Sequence, residues 1–268
     1  FHYRQEDPHP SYLVTLACGR FDAASAKAGS VPVGYYVPVG EGRHVERSLG
    51  RTPAMIEHFA SVVGTPYPWV KYDQVVVSDF IFDGMENTSA TTLYDRALLD
   101  ERAALDVDGD SLVAHELAHQ WFGDLVTCRD WSHAWLNEGF ATFMEHVWRE
   151  KAEGLDAYNY GLEEDLGIYL DEEGERYRRL IVTNVFSAPL DIFDRHLYQK
   201  GGLVLHALRR HLGDDAFFGG VRHYLAQHRG KGVETRDLLR SLEDATGRSL
   251  EAFFHRWVMC AGHPTLRV

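Results

Sequence analysis

One pentapeptide combines two histidines with a carboxylate at a spacing that suits a catalytic metal. It is His115-Glu116-Leu117-Ala118-His119. In a helix, side chains at positions i and i+4 lie on one face, so both imidazoles can bind one ion. Glu116 projects beside that face, where it can accept a proton from a metal-bound water without binding the metal itself. The spacing predicts His115 and His119 as ligands and Glu116 as a general base.

A second acidic segment can supply a third ligand. Trp135-Leu136-Asn137-Glu138-Gly139-Phe140 begins another predicted helix after eighteen intervening residues. That separation allows a helix, a turn and a returning helix that brings the carboxylate of Glu138 back to the ion. Two histidines and one glutamate leave Zn²⁺ an open position, which a catalytic zinc site requires. We therefore predict one Zn²⁺ per chain, bound by His115, His119 and Glu138.

The elements that must position these residues divide the chain into two parts. Short β-rich runs bounded by Pro and Gly dominate residues 1–95, and helical patterns dominate residues 96–268. The pattern predicts an α+β domain over 1–268, a small sheet followed by a mostly helical half. Strands are predicted at 12–17, 33–37 and 73–78, and helices at 54–63, 112–122, 134–150, 155–170, 198–212, 214–228, 235–246 and 248–258.

Composition excludes several classes of function. The chain carries 27 Lys+Arg against 40 Asp+Glu, a net charge of −13, and no basic stripe. Nucleic acids and anionic membranes require clustered positive charge, so we expect neither as a partner. There is no apolar run of membrane-spanning length. Three widely separated cysteines argue against a disulfide-stapled secreted fold. We expect a cytoplasmic protein of bacterial composition.

Four motifs, in their order along the chain, resemble those of a known family. They are Asp83-Gly84-Met85-Glu86-Asn87, the His-Glu-x-x-His segment, the segment around Glu138, and Tyr198-Gln199-Lys200-Gly201. Together they resemble the gluzincin zinc aminopeptidases of the aminopeptidase N type, a family that includes leukotriene hydrolase. The resemblance implies a thermolysin-like catalytic domain. Because the chain begins with Phe1 and lacks a leader pattern, we expect a fragment of a longer multidomain protein, whose neighbouring domains are partners.

The resemblance also implies roles that spacing alone does not assign. Glu86 would bind the free α-amine of a peptide substrate, assisted by Glu138. The backbone of Gly84 and Met85 would lie along the substrate as an extended edge. Tyr198 would donate a hydrogen bond to the oxyanion of the tetrahedral intermediate.

The remaining polar and aromatic residues near the motifs receive supporting roles. Asp83 stands where the family commonly has Gly, and we expect its carboxylate to point to solvent. The acidic runs 163–165 and 171–173 are expected on solvated helix faces. The candidates for orienting the histidine ligands are Asp124, Thr142 and Glu145. The aromatic residues expected to pack in the core are Trp121, Phe122, Trp131, Trp135, Phe140 and Phe143.

The leading functional hypothesis is a zinc-dependent aminopeptidase. It would hydrolyse the N-terminal residue from peptides with a free N-terminus through a zinc-activated water. A zinc metalloendopeptidase would need Glu116 but not Glu86, and the motifs do not exclude an epoxide hydrolase, an activity of one branch of the family. A non-catalytic scaffold is disfavoured because the predicted catalytic residues are all present. A catalytic domain without its neighbours could still turn over poorly.

Overall fold

A five-stranded mixed sheet forms the N-terminal part of the protein. The computed structural model describes residues 4–264. Its first strands are β1 (Phe21–Ala28), β2 (Val31–Pro38), β3 (Tyr72–Val77), β4 (Gly84–Met85) and β5 (Ala90–Tyr94), in the order β1-β2-β3-β5-β4. Strands β1 and β2 form an antiparallel hairpin, β2, β3 and β5 run parallel, and β4 is antiparallel to β5. Strand β4 is therefore an edge strand, with one side of its backbone facing away from the sheet.

Two helices connect β2 to the parallel strand β3. They are α1 (Val45–Leu49) and α2 (Thr52–Val63). Pro53 fits the first turn of α2, where a backbone N–H would have no helical partner. Gly64 ends the helix with φ of +65°, a left-handed conformation that glycine adopts without strain. The buried face of α2, which packs on β1, α3 and α7, carries Met55, Ile56, Phe59 and Val63.

The helical half is organised around one long, buried helix. The helices are α3 (Asp110–Ala118), α4 (Trp135–Glu153), α5 (Leu155–Glu175), α6 (Gln199–Leu212), α7 (Asp214–His228), α8 (Thr235–Thr246) and α9 (Glu251–Trp257). Strands β6 (Val126–Cys128) and β7 (Lys231–Val233) pair in parallel. Helix α4 packs against α3, α5 and α6, and its Trp135, Phe140 and Phe143 are fully buried. This mixed α+β architecture, with a small sheet before a mostly helical half, is the predicted one.

Helices α4 and α6 approach each other through their backbones. A Cβ atom built on Gly139 would lie 3.0 Å from the Cα of Gly201, and one built on Gly201 would lie 2.9 Å from the Cα of Gly139. Neither distance leaves room for a side chain. The contact therefore brings the first turns of both helices together, and these turns carry Glu138 and follow Tyr198.

The strand predicted at 12–17 was wrong. Ser11–Leu13 is a 3₁₀ turn, after which the chain is irregular, with Leu13 buried and Leu16 exposed. Instead of pairing in a sheet, this segment contacts the chain that follows β4, since the Leu13 carbonyl accepts a hydrogen bond from Asn87. Strand β1 was missed because its run of Ala, Ser and Lys has little β propensity. Strand β5 was also missed.

The helix predicted at 112–122 begins and ends earlier than expected. It is α3, which ends at Ala118 because the chain turns to enter β6. Gly123, with φ of +147°, donates a backbone hydrogen bond to Val126 within this turn.

The three cysteines are free thiols. Within residues 4–264, no helix is long and apolar enough to cross a membrane.

Gly139→Ala tests the contact between α4 and α6. The added methyl group would meet the backbone of Gly201, so one helix must shift, and we expect the free energy of unfolding to fall by about 1–3 kcal/mol. Gly167→Ala in α5 is the matched control, because a Cβ there meets nothing within 4 Å. Better helix propensity should make that control more stable by up to about 1 kcal/mol. Urea unfolding followed by circular dichroism measures the free energy of unfolding of both variants. An equal change in Gly139→Ala and Gly167→Ala would contradict a close contact between α4 and α6.

Candidate active site

Three predicted ligand atoms meet at one point between α3 and α4. The Nε2 atoms of His115 and His119 lie 3.1 Å apart, and Glu138 Oε2 lies 3.3 Å and 3.2 Å from them. Glu138 reaches this point because the chain reverses after α3 and enters α4 through the 3₁₀ turn Trp131–His133. A tetrahedral ion with bonds of about 2.0–2.1 Å separates its ligand atoms by about 3.3 Å. These three residues could therefore hold a metal ion.

Both imidazoles are oriented by a hydrogen bond at the opposite ring nitrogen. His115 Nδ1 lies 2.7 Å from Glu145 Oε1, and His119 Nδ1 lies 2.9 Å from the backbone oxygen of Phe122. Each acceptor favours the proton on Nδ1, which leaves the Nε2 lone pair directed at the shared point. Glu145 was one of the three predicted candidates. The Phe122 carbonyl was not predicted, because a backbone acceptor has no sequence signal.

The other two candidates lie elsewhere. Asp124 is buried, and burial together with the charge of Glu86 raises the pKa of its carboxyl. Thr142 faces Gly202 of α6, where its methyl group occupies the space beside the glycine. Neither side chain contacts a ligand imidazole among the described hydrogen bonds.

Glu116 lies beside the ligands and beneath the edge strand β4. Its Oε1 is so close to the backbone of Gly84 that a Cβ there would lie only 2.2 Å from it. Burial raises the pKa of Glu116 to about 8, because removing a carboxylate from water disfavours its charged form. Its Oε2 has no hydrogen-bond partner within residues 4–264. Glu116 thus lines the cavity beside the predicted ligands and carries a carboxylate oxygen without a hydrogen-bond partner among the described residues.

Glu86 directly follows β4 and enters the same cavity. The hydroxyl of Tyr12 donates to Glu86 Oε1 at 3.4 Å, and burial raises the pKa of the carboxyl. Gln120 holds the segment in place, since its Nε2 donates to the Glu86 backbone oxygen and its Oε1 accepts from the backbone N–H of Ser89. Neither the Tyr12 contact nor the Gln120 contacts were predicted from the sequence. Tyr12 was assigned to a strand, and Gln120 carries no motif of its own.

Tyr198 immediately precedes α6 and packs over the ligand His115. Their ring centroids are 5.9 Å apart with an angle of 26° between the planes. Burial, followed by the charge of Glu138, raises the pKa of the Tyr198 phenol. The phenol therefore keeps its proton at neutral pH and remains a hydrogen-bond donor.

A cavity of about 680 Å³ joins these groups. It is lined by the predicted ligands and Glu116, by chain 81–86, which forms one wall, and by residues of chain 189–199, which form a second wall. Trp131 was predicted in the core, but it is only half-buried and lines the cavity, with its ring 5.4 Å from that of Tyr12. The 3₁₀ turn that contains Trp131 places it there. Asp83 is exposed at the cavity, as predicted.

A buried ionic pair stabilises the segment before Tyr198. Arg179 Nε donates to Asp194 Oδ2 at 2.7 Å and its Nη2 donates to Oδ1, which makes the ion pair bidentate. The Tyr177 hydroxyl also donates to Asp194, at 2.6 Å. Burial would raise the pKa of Asp194, but the contacts with His196, Arg179 and Tyr177 together hold it well below its ordinary value.

The acidic run 171–173 does not lie on a solvated face as predicted. Glu172 and Glu173 are buried, although Asp171 and most of the run 163–165 are exposed. Glu172 Oε2 accepts the backbone N–H of Arg195 at 2.7 Å, and Glu173 accepts from the Tyr169 hydroxyl at 2.7 Å. The chain after α5 covers this end of the helix, so both carboxylates act as internal acceptors.

The fold and site define a protein with a His-His-Glu group that could hold a metal ion beside a buried carboxylate. Residues 47–257 match the Peptidase family M1 domain, and the chain belongs to this family as an aminopeptidase N family catalytic domain. It is 31% identical to "Aminopeptidase M1-C" of Oryza sativa subsp. japonica, over 100% of this chain and 31% of that protein. "Aminopeptidase M1" of Arabidopsis thaliana is 32% identical over 98% of the chain and 31% of its own length. "Aminopeptidase N" of Streptomyces lividans is 31% identical over 96% of the chain and 32% of its own length. The chain spans about a third of the length of these relatives.

Arg179→Gln tests whether the buried pair stabilises the segment before Tyr198. Asp194 would lose its two-pronged partner, so the free energy of unfolding at pH 7 should fall by about 3–5 kcal/mol. The folded-state pKa of Asp194 lies below its unfolded value of 3.8. The stabilisation that ionised Asp194 contributes is therefore present above that pH and is lost as the pH falls through the folded pKa. The difference in the free energy of unfolding between wild type and Arg179→Gln should accordingly become smaller in acid.

Arg129→Gln is the control for this prediction. Its ion pair with Glu234 is exposed, with 62% of the arginine side chain accessible, so we expect a loss below about 1 kcal/mol. Urea unfolding at pH 7 and at the lowest pH at which the wild type is still folded measures both variants. A loss at pH 7 no larger for Arg179→Gln than for the control would contradict the role of the pair.

Proposed function

We propose that this chain is the thermolysin-like catalytic domain, over residues 1–268, of a zinc-dependent aminopeptidase that removes the N-terminal residue from peptides. The observation that carries the proposal is a buried carboxylate, Glu86, in the same cavity as the His-His-Glu group and Glu116. Family membership and the aminopeptidase names of the relatives support peptide hydrolysis. We infer that the domain acts within a longer protein, as the greater length of those relatives suggests.

His115, His119 and Glu138 are the proposed zinc ligands. Two imidazoles and one carboxylate, with ligand atoms 3.1–3.3 Å apart, suit Zn²⁺ and leave a coordination position open. When bound, zinc would polarise the scissile carbonyl and lower the pKa of a water molecule. Glu145 keeps the imidazole of His115 turned toward the ion.

Glu116 is the proposed general base and acid. The residue lines the cavity and its Oε2 has no hydrogen-bond partner among the described residues, so the carboxylate can take a proton from the attacking water and pass it to the amine that leaves. The backbone of Gly84 excludes solvent from the other carboxylate oxygen. A side chain at residue 84 would displace Glu116, which explains a glycine at this point of the edge strand.

Glu86 and Glu138 are proposed to bind the substrate amine. Both carboxylates are buried, so an ammonium group between them gains charge-assisted hydrogen bonds in a site that excludes water. The backbone of Gly84 and Met85, on the free side of β4, can hold the peptide as an added strand. A metalloendopeptidase would not require Glu86, because its substrates have no amine at this position.

Tyr198 is proposed to stabilise the oxyanion. It retains its proton and lies over His115, so its hydroxyl can donate to the oxygen that becomes negatively charged as water attacks. The buried Arg179–Asp194 pair stabilises the backbone that leads to this tyrosine. A fixed donor needs no reorganisation during the reaction.

Zinc binding can be measured without any activity assay. We expect Zn²⁺ to raise the unfolding temperature of the chelator-treated chain, because it binds the folded state. Glu145→Gln keeps all three ligands but weakens the orientation of His115, and it should lower zinc affinity by about 10- to 100-fold. Tyr198→Phe is the control and should leave zinc affinity unchanged. Competition with a chromophoric chelator measures these affinities, and an unchanged affinity in His119→Ala would rule out the assigned site.

The role of Glu86 is tested with an alanyl anilide and its N-acetylated form. We expect chelator-sensitive cleavage of the free-amine substrate alone. Glu86→Gln should lower kcat/KM for that substrate by about 10- to 100-fold, since a charged hydrogen bond to the amine is lost. Asp156→Asn is the control and should change kcat/KM less than about twofold, because Asp156 is exposed and does not line the cavity. Equal cleavage of both substrates would favour an endopeptidase, and cleavage of neither would show that this chain does not suffice for the activity.

A further inference from the structure

The active-site cavity is electrically asymmetric. Among the described residues, Arg195 is the only lysine or arginine that lines it, and it lies on the wall that carries Tyr198. The carboxylates that line the cavity lie on other segments, namely chain 81–86, α3 and α4. They are Asp83, Glu86, Glu116, Glu138 and Glu145.

The backbone of Arg195 is fixed while its guanidinium is available. The backbone N–H donates to the buried carboxylate of Glu172 at 2.7 Å, and the preceding Asp194 is bound by Arg179. The Arg195 residue is exposed, and within residues 4–264 no carboxylate forms an ion pair with it. Because its backbone is held in place and its guanidinium has no ion-pair partner among the described residues, Arg195 is available to bind a ligand.

The guanidinium lies near the reacting group of the proposed mechanism. Arg195 precedes Tyr198 by three residues, and its charge opposes the rise in the pKa of the Tyr198 phenol that burial and the carboxylates produce. A charge that acts on the phenol is also within reach of a substrate group next to the scissile carbonyl.

We propose that Arg195 binds a substrate carboxylate on the far side of the scissile bond from the amine, so that the preferred substrates carry a negative charge on their second residue. This inference rests on the proposed function. With the amine at Glu86 and the carbonyl at Tyr198, the second residue leaves the acidic half of the cavity toward Arg195. The planar guanidinium can then bind the carboxylate through two hydrogen bonds.

A carboxylate on the first residue is disfavoured by the same field. Its side chain starts from the carbon that carries the amine, which places it among the carboxylates of Glu86, Glu116 and Glu138. Like charges in a site that excludes water repel strongly. On the second residue, the carboxylate can come from an acidic side chain or from the C-terminus of a dipeptide, and the chemistry of recognition is the same.

Four free-amine peptides separate these sources. They are alanyl-alanine amide, alanyl-alanine, alanyl-glutamic acid α-amide and glutamyl-alanine amide. We expect kcat/KM for the second and third to exceed that for the neutral amide by about three- to tenfold. The preference should shrink in 0.5 M salt, because screening weakens the attraction. If only alanyl-alanine or only alanyl-glutamic acid α-amide is preferred over the neutral amide, the result identifies the source of the carboxylate and supports the proposal.

Variants of Arg195 assign the preference to this residue. Arg195→Gln should abolish the ratio of kcat/KM between charged and neutral peptides, Arg195→Lys should restore part of it, and Arg195→Glu should invert it. Arg210→Gln is the matched control, since Arg210 is an exposed arginine near the other end of α6. It should leave the ratio as in wild type.

A binding measurement separates this inference from the proposed function. Calorimetric titration of the same peptides into Glu116→Gln reports the preference where turnover is too slow to detect. Carboxylate-dependent binding that Arg195→Gln removes, without hydrolysis of any peptide by wild type, would support the Arg195 site and show that this chain does not suffice for the proposed activity. Hydrolysis without preference, a preference that survives Arg195→Gln, or a preference for glutamyl-alanine amide would overturn the Arg195 assignment. If no peptide binds or is hydrolysed, both proposals fail.

Discussion

The backbone contact between Gly139 and Gly201 is the constraint on which the candidate site depends. Glu138 precedes one of these glycines directly, and Tyr198 precedes the other by three residues. Because the two Cα atoms pack with no intervening side chain, the first turns of α4 and α6 can meet only in this arrangement. The carboxylate of Glu138 then reaches the histidines of α3, and the ring of Tyr198 covers one of them. A helix pair separated by ordinary side chains would move these groups apart.

The second constraint is the concentration of buried carboxylates. Burial raises the pKa of Glu86 and of Glu116, so both resist ionisation in the absence of a cation. Glu138 behaves differently, because the neighbouring histidines outweigh burial and lower its pKa. The site therefore holds one carboxylate that is paired with imidazoles and two that lack an equivalent partner. A metal ion and a substrate ammonium would each supply positive charge where the chain itself supplies little.

The sequence predicted the groups that perform chemistry better than the groups that support them. His115, His119 and Glu138 follow from helical spacing and one chain reversal, and Glu86 and Tyr198 were found only through the family resemblance. Tyr12 and Gln120 contact the Glu86 segment across long sequence separations, 74 and 34 residues, which no local pattern encodes. The acidic run 171–173 was assigned to a solvated face because burial at the end of α5 depends on the chain that folds over it. The strand at 12–17 failed for a related reason, since Tyr12 and the carbonyl of Leu13 contact the Glu86 segment and do not pair in a sheet.

The two walls of the cavity are attached to different parts of the core, and this has a consequence for substrate selection. Gln120 fixes the Glu86 wall to the end of α3, whereas Glu172 fixes the Arg195 wall to α5. The first anchor is a buried hydrogen bond and the second is part-buried, so both walls are tied to the helical core and the span between Glu86 and Arg195 depends on helix packing. A peptide bound at one wall therefore meets the other at a fixed distance along its backbone. If the two proposals hold, the positive and negative ends of a short substrate would be recognised together, at a separation that these two anchors determine.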